Sequence, residues 1–432
     1  MFDGMLKNTN SNRGLANFIA YPVMFLYLFN ITPLVVPVPS VFYITLSVFF
    51  AVFVFQDIRN YVRRVFIECY MTVVLFVALG VYGTLLSVMW GPDETYSVQI
   101  FIKSILIMFT AAGLVAILSG GGSGKSVVDY NSEPVVRWVF ELFFRVCVFQ
   151  SIIVLIEFVF PNFRDAISGV LVGRGNIEED HPFRFHGLHD SGGFSLTAIM
   201  GVAATYGVFT CVSKFNGIVF IRLISTFLIV MAIAFVGRTG FFVFALGVGL
   251  LSIRWGKSML SYLVGMAAIA SVIVGLFSVF FPDRFEYFGD FVFGYAFEFL
   301  VNYSEHGNLS TTSSDDLASM LFIPDIVNVF FGSGSFDEPN AGVDRSDSGY
   351  MKTMLSLGLV GIFVVYGLFL SLSVRVLRAI KFDHDLRYFG LVFFMLMFFV
   401  EIKAPVFYQN DLSRLFWLVF VSAVVPWFVR SK

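Results

Sequence analysis

Charge is scarce in this chain. Only 13% of its 432 residues are Asp, Glu, Lys or Arg, against roughly 25% in soluble domains. The 28 basic and 30 acidic side chains leave a net charge of −2, so there is no basic surface for nucleic acid. Cysteine is rare as well. Cys69, Cys147 and Cys211 all lie inside apolar blocks, which argues for packing residues and against a disulfide framework. No repeat of fixed period is visible. The polar start, Met1–Gly14, leads into an apolar run too long for the core of a cleaved signal peptide. What is abundant is apolar bulk. Hydrophobic residues make up 58% of the chain, 56 of them Phe, and mean hydropathy is +0.84. The Phe bias is read as lipid-facing bulk. These features exclude a soluble enzyme and a disordered chain, and predict an all-α polytopic membrane protein in which residues 1–432 form one membrane domain.

A helix needs about 20 apolar residues to cross the hydrocarbon core. That length predicts about twelve transmembrane helices, near 16–36, 38–56, 65–90, 99–118, 138–160, 193–212, 217–236, 240–254, 258–281, 350–374, 388–405 and 414–429. Lys and Arg mark the cytoplasmic side. With the N-terminus inside, that side receives Arg59, Arg63, Arg64, Lys125, Arg137, Lys214, Arg254, Lys257, Arg375 and Arg378, whereas the outer connections at 37, 91–98 and 406–413 hold no basic residue. An even number of spans returns the C-terminus to the cytoplasm. Two outer loops, 161–192 and 282–349, are long enough to expect function in them. The aromatic run Tyr287–Leu300 suits a short helix in the membrane interface.

The chemistry-bearing residues gather in those loops. The first holds Arg164, Arg174, Arg184, His181, His186, His189 and Asp190; the turn GRTG holds Arg238; the second loop ends with Arg345, Asp347, Tyr350 and Lys352. Ionisable residues at such depth are functional candidates by default. Clustered guanidinium groups suit phosphate, which they pair bidentately without ever losing charge. Cations aimed at a leaving pyrophosphate stabilise the transition state as its charge develops. Asp347 or a loop histidine has the chemistry to accept a proton from an attacking hydroxyl. The irregular spacing of His181, His186 and His189 gives no metal site, and no cofactor is expected. Glu141 and Arg145 lie one helical turn apart and suit an internal pair. Asp347 also suits a helix cap, and Tyr350 and Lys352 suit interfacial anchors. SGGGSGKS (119–126) imitates a phosphate loop but lacks its first glycine. Asp383-His384-Asp385 imitates a metal-binding pair but sits in a short basic connection.

The run RFHGLHDSGG, the turn GRTG, and FGSGSF followed by DSGY, seven residues and GLVG together resemble the O-antigen polymerase and ligase superfamily, over roughly residues 160–365. Ligases of that superfamily carry His, then Asn, Ser or Gln, nine residues, and Gly-x-x-Gly. Here Asp347-Ser348 precedes Gly358-Leu359-Val360-Gly361 at that spacing, with Asp in place of His, which favours the polymerase (Wzy-type). Arg164 and Gly175 match the Arg, ten residues, Gly pattern described for polymerases. The resemblance implies transfer of a growing glycan from undecaprenyl pyrophosphate to a lipid-linked repeat unit, with inversion, at the periplasmic face of the bacterial inner membrane. It implies that Arg184 and Arg238 hold the donor pyrophosphate and that Arg345 contacts a donor or acceptor phosphate. Asp347 would orient or deprotonate the acceptor hydroxyl. Arg164, His186, His189, Tyr350 and Lys352 are further substrate candidates. The implied partners are an undecaprenyl-pyrophosphate-linked oligosaccharide, the lipid bilayer and a chain-length regulator. A ligase-like glycan transferase, a flippase and a secondary transporter are the alternatives.

Overall fold

The computed structural model describes residues 10–35, 37–90, 96–118, 132–172, 185–189, 193–213, 219–289, 298–307, 311, 315, 318, 321–322, 326–334, 346–408 and 411–429. Among them the regular structure is helical, with one isolated bridge between Pro33 and Leu171. In chain order the helices are α1 (Asn10–Phe29), α2 (Ser40–Val54), α3 (Gln56–Glu68), α4 (Tyr70–Trp90), α5 (Tyr96–Leu118), α6 (Ser132–Val159), α7 (Pro161–Ser168), α8 (Gly193–Ser213), α9 (Val219–Val236), α10 (Thr239–Phe280), α11 (Pro282–Tyr287), α12 (Glu298–His306), α13 (Ile326–Phe331), α14 (Gly349–Ala379), α15 (His384–Val400) and α16 (Asp411–Val429). Seven of the described helices are long and apolar enough to cross a membrane, or eight when the bent pair α2–α3 counts as one span. The protein is a multi-pass, all-α membrane protein.

That number is counted over the described residues alone, and part of its difference from the twelve expected apolar segments has physical reasons visible in the helices. α15 has 17 residues, one turn short of a full span. The expected segments 240–254 and 258–281 are joined as the 42-residue α10, which leaves helical geometry at Trp255 (φ −117°, ψ 31°). The chain reverses there. Arg254 bonds Asp385 at the head of α15, whereas Phe277 has returned to Phe158 at the tail of α6 (5.8 Å between rings). The basic connection at 57–64, expected to be a loop, is the amphipathic helix α3. Its Ile58, Val62 and Val65 are buried while Arg59, Arg63 and Arg64 are exposed, and it turns 110° from α2 at Phe55. An apolar stripe opposite a basic face is what an interfacial helix needs.

The centre of the bundle is α8, with sixteen buried positions from Leu196 to Val212. It is rich in Ala, Gly and Thr because small side chains let neighbouring backbones approach. A Cβ on Gly207 would lie 2.1 Å from Thr226 of α9, and one on Gly247 of α10 would lie 2.3 Å from Thr205. Large rings fill the remaining space. Phe140, Tyr206, Phe209 and Phe389 are buried and stack on one another at 4.8–5.8 Å. The Phe excess is therefore not only lipid-facing bulk. Phe42, Phe50 and Phe53 of α2 are exposed on the apolar surface, but as many rings build the interior.

α14 is broken. Gly358 adopts φ +66°, ψ −169° inside it, which strands carbonyls of the preceding turn. Gly332–Gly334, just after α13, fill the gap: Ser333 N–H donates to Leu355 O (2.7 Å) and Gly334 N–H to Ser356 O (2.9 Å). Tyr82 of α4 donates to Phe331 O (2.8 Å). In a membrane every backbone group must find such a partner within the protein.

Candidate functional site

The polar side chains that matter sort to the two ends of the bundle. At the basic end, Arg137 pairs with Asp383 and Arg254 with Asp385 at 2.7 Å. Asp383 also caps α15, accepting from Leu386 N–H at 3.0 Å. This accounts for the Asp-His-Asp run as helix start and ion-pair partners. Deeper in, Glu141 pairs with Arg145 at 2.8 Å, as its spacing predicts, and also with Arg222 at 2.5 Å.

The opposite, loop-bearing end holds three linked features. The first is the segment Phe185–His189, drawn into the bundle. Gln150 of α6 donates to His186 O (2.8 Å) and accepts from Leu188 N–H (3.2 Å), and Glu157 accepts from Gly187 N–H (2.8 Å). Gly187 has φ +59°, and a Cβ there would meet the Gln150 amide at 2.3 Å. Only glycine fits. His189, 1% exposed, bonds Asp411 at 2.7 Å. Asp411 accepts from Ser195 and, through its other oxygen, from Arg414 (2.8 Å). Arg414 also donates to Tyr27 O (3.1 Å) and Leu28 O (2.9 Å) at the end of α1, where helical carbonyls lack intrahelical partners and attract a cation. Because the aspartate, and not the histidine, bridges to the serine, this is not the arrangement of a hydrolytic triad. It locks α1, α8 and α16 to the segment, which Gln150 and Glu157 fasten to α6 as well.

The second feature is a cationic corner. Arg164 of α7 lies over the Phe185 ring at 4.7 Å. Phe185 N–H donates to Phe235 O (3.0 Å), and three residues beyond Phe235 stands Arg238, the cap residue of α10. Arg238 is mostly buried and paired with Glu298 of α12. The segment that Arg164 covers is thus tied by backbone to the end of α9, three residues before Arg238, which stands at the positive end of the α10 dipole.

The third feature surrounds the start of α14. Asp347 is exposed and 3.9 Å from Lys352. The helix cap is Ser348, not Asp347. Tyr350 is turned inward and donates to Phe398 O (2.9 Å). Glu401, in the connection between α15 and α16, is fully buried beneath them. It accepts from Tyr366 (2.9 Å) and from Val406 N–H (2.7 Å), and its carbonyl accepts from Gly349 N–H (2.9 Å). Burial pushes its carboxyl up to about 8, against the lowering effect of those hydrogen bonds. Thr353 links Tyr366 (3.0 Å) to Tyr408 (2.7 Å) in the same network.

The sequence-derived candidates therefore fall into three groups. Arg164 and Arg238 flank the Phe185–Phe235 backbone bond, one over the Phe185 ring and the other three residues after Phe235; Asp347, Tyr350 and Lys352 share the head of α14; His186 and His189 are buried with their segment. Arg184, Arg345, His181, Arg174 and Asp190 lie outside the described residues. The loop 119–126 does too. Sequence reasoning missed Asp411, Arg414 and Glu298. The signal for the first two was present, since Asp-x-x-Arg opens an otherwise uncharged apolar helix. Comparison with family models, with curated proteins and with solved structures finds no match to this chain.

Proposed function

We propose that the chain is a Wzy-type glycan polymerase with about twelve membrane crossings, both termini in the cytoplasm and its loop-bearing end facing the periplasm. The observation that carries this reading is that Arg164 lies over Phe185, whose N–H is bonded to Phe235 O three residues before Arg238. In this reading the corner takes the pyrophosphate of an undecaprenyl-linked donor, together with Arg184, and Glu298 yields Arg238 to that anion. Asp347 accepts the proton of the acceptor hydroxyl as its oxygen bonds the anomeric carbon. The bond from that carbon to the pyrophosphate breaks on the opposite side, which inverts the centre and releases undecaprenyl pyrophosphate. Arg345 and Lys352 serve the acceptor phosphate. His186 and His189, being buried, shape the site from behind it. No metal or cofactor takes part, and a chain-length regulator sets product length.

A surface-glycan gel from a strain lacking the gene, with extraction of its lipid-linked sugars, tests this. Glycan cut to a single repeat that still reaches its final anchor supports the polymerase. Long chains stranded on undecaprenyl pyrophosphate make it a ligase, and an unchanged ladder removes the substrate. An Asp347→Asn protein that folds and still makes full-length polymer removes the base role.

One observation favours a second reading, the secondary transporter: α14 is discontinuous, and carriers build ion and substrate sites from broken helices. Here, however, the carbonyls freed at the break accept from Ser333 and Gly334, so the break is closed by backbone and offers no open ligand set.

A further inference from the structure

A cleft of about 500 Å³ runs along the lipid-facing surface between α14 and the junction of α3 with α4, within the size range of ligand cavities. Its walls are mostly apolar, with Ser371 exposed one turn before Arg375. Met71 and Phe363 are largely exposed on it, with Leu75 and Leu368 beside them. From Phe363 to Arg375, α14 rises about 18 Å, close to one leaflet of a bilayer whose hydrocarbon core is about 30 Å thick.

The polar end of the cleft is cationic. Arg375 is exposed there, and its guanidinium donates to Glu68 O at 3.5 Å. Unlike Arg137 and Arg254 at the same end, it has no carboxylate partner among the described residues. α3 leads into the cleft along the interface, with Arg63 and Arg64 exposed one turn before Glu68. A slot one leaflet deep, mostly apolar along its length and closed at head-group level by a guanidinium that makes no ion pair with the neighbouring Glu68 among the described residues, matches one kind of occupant.

We propose that this cleft binds an anionic diacyl phospholipid of the leaflet at the basic end, with Arg375 on its phosphate and one acyl chain between α4 and α14. The site is separate from the loop-bearing end and does not rest on the transferase reading. Guanidinium and phosphate oxygens pair in a fixed, charge-assisted geometry, and basic groups at such a surface discriminate for anionic lipid.

The test uses the full-length protein purified in neutral detergent and mixed with equimolar phosphatidylglycerol and phosphatidylethanolamine, with retained lipid counted by native mass spectrometry. Wild type retains phosphatidylglycerol preferentially. Arg375→Gln lowers that retention about five-fold, the effect of removing one basic side chain at an anionic surface, and lowers phosphatidylethanolamine less, because the ammonium of that head group already offsets its phosphate. Gly367→Phe fills the cleft, because a Cβ at Gly367 meets nothing within 4 Å, and lowers retention of both lipids. Glu68→Gln removes the acidic neighbour and raises phosphatidylglycerol retention. Unchanged phosphatidylglycerol retention in Arg375→Gln, or in Gly367→Phe, overturns the proposal.

Discussion

A carboxyl group enclosed by Tyr366, Val406 and Gly349 favours its neutral form, and Glu401 shows that preference with a value of about 8 in place of its ordinary 4.5. The folded state therefore holds a proton that the unfolded chain gives up above pH 4.5. Its contribution to stability is fully present below that pH and is lost as pH rises through 8, at up to about 1.4 kcal/mol per pH unit. Thermal melting of the detergent-solubilised protein should thus fall between pH 5 and pH 9, and Glu401→Gln should flatten that part of the profile. A wild-type slope retained in the variant would assign the titration elsewhere. Two aspartates make a second contrast. Asp411→Asn strips a buried Arg414 and His189 of their carboxylate, a loss of about 3–5 kcal/mol. Asp347→Asn changes an exposed side chain and should stay within about 0.5 kcal/mol. Under the proposed reading polymer length should respond in the opposite order of severity per degree of melting, with Asp347→Asn losing polymer at near-normal stability. Melting curves and glycan gels on the same pair of variants check both halves. Asp347 and Lys352 were legible in the sequence because they share a motif. Asp411 was not, because its partner His189 lies 222 residues away and no local pattern links them.

The elements carry information of a different kind. Most helices could be read from apolar length alone, since a bilayer imposes one dimension on every crossing. What length does not encode is a change of direction inside an apolar run. The break at Gly358 occurs where hydropathy continues smoothly; the 110° turn at Phe55 and the reversal at Trp255 meet polar residues, Gln56-Asp57 and Arg254 with Lys257, but those residues do not give the angle. The two glycine motifs FGSG and GLVG were visible, but their contact was not: they form one backbone joint, FGSG supplying amides and GLVG the break that needs them. Gly358→Ala tests the joint. At φ +66° an alanine is strained by roughly 1–2 kcal/mol, and its Cβ would lie 2.3 Å from Phe330 O. We expect a clear drop in melting temperature, with α13 released from α14 and a cysteine placed at Ser333 newly open to thiol reagents. Normal melting with Ser333→Cys still protected would mean that the break is tolerant and that the glycine serves something else.

At the scale of the whole molecule the two ends treat charge differently. The basic end keeps its ion pairs partly exposed, as in Arg137–Asp383 and Arg254–Asp385, where water and head groups screen them and each is worth little. The loop-bearing end leaves Asp347–Lys352 open but buries His189–Asp411–Arg414 and most of Arg238–Glu298, where desolvation is costly and the arrangement must be specific to persist. Buried charge at one end is the kind of asymmetry the proposed reading expects of a working face, although His189, Asp411 and Arg414 also tie helices together there. The excess of Lys and Arg at the other end predicts which face is which. The prediction is open to direct measurement because Cys69, Cys147 and Cys211 are all buried, leaving little background for a thiol label. Single cysteines at the exposed positions Asn162 and Glu305 should react with a membrane-impermeant maleimide in intact cells. Those at Asn60 and Lys381, exposed at the basic end, should react only after the membrane is opened. The reverse pattern would place the Arg164–Arg238 corner in the cytoplasm, where a lipid-linked glycan already translocated across the membrane cannot reach it. The polymerase reading would then fail, whatever the chemistry of the corner.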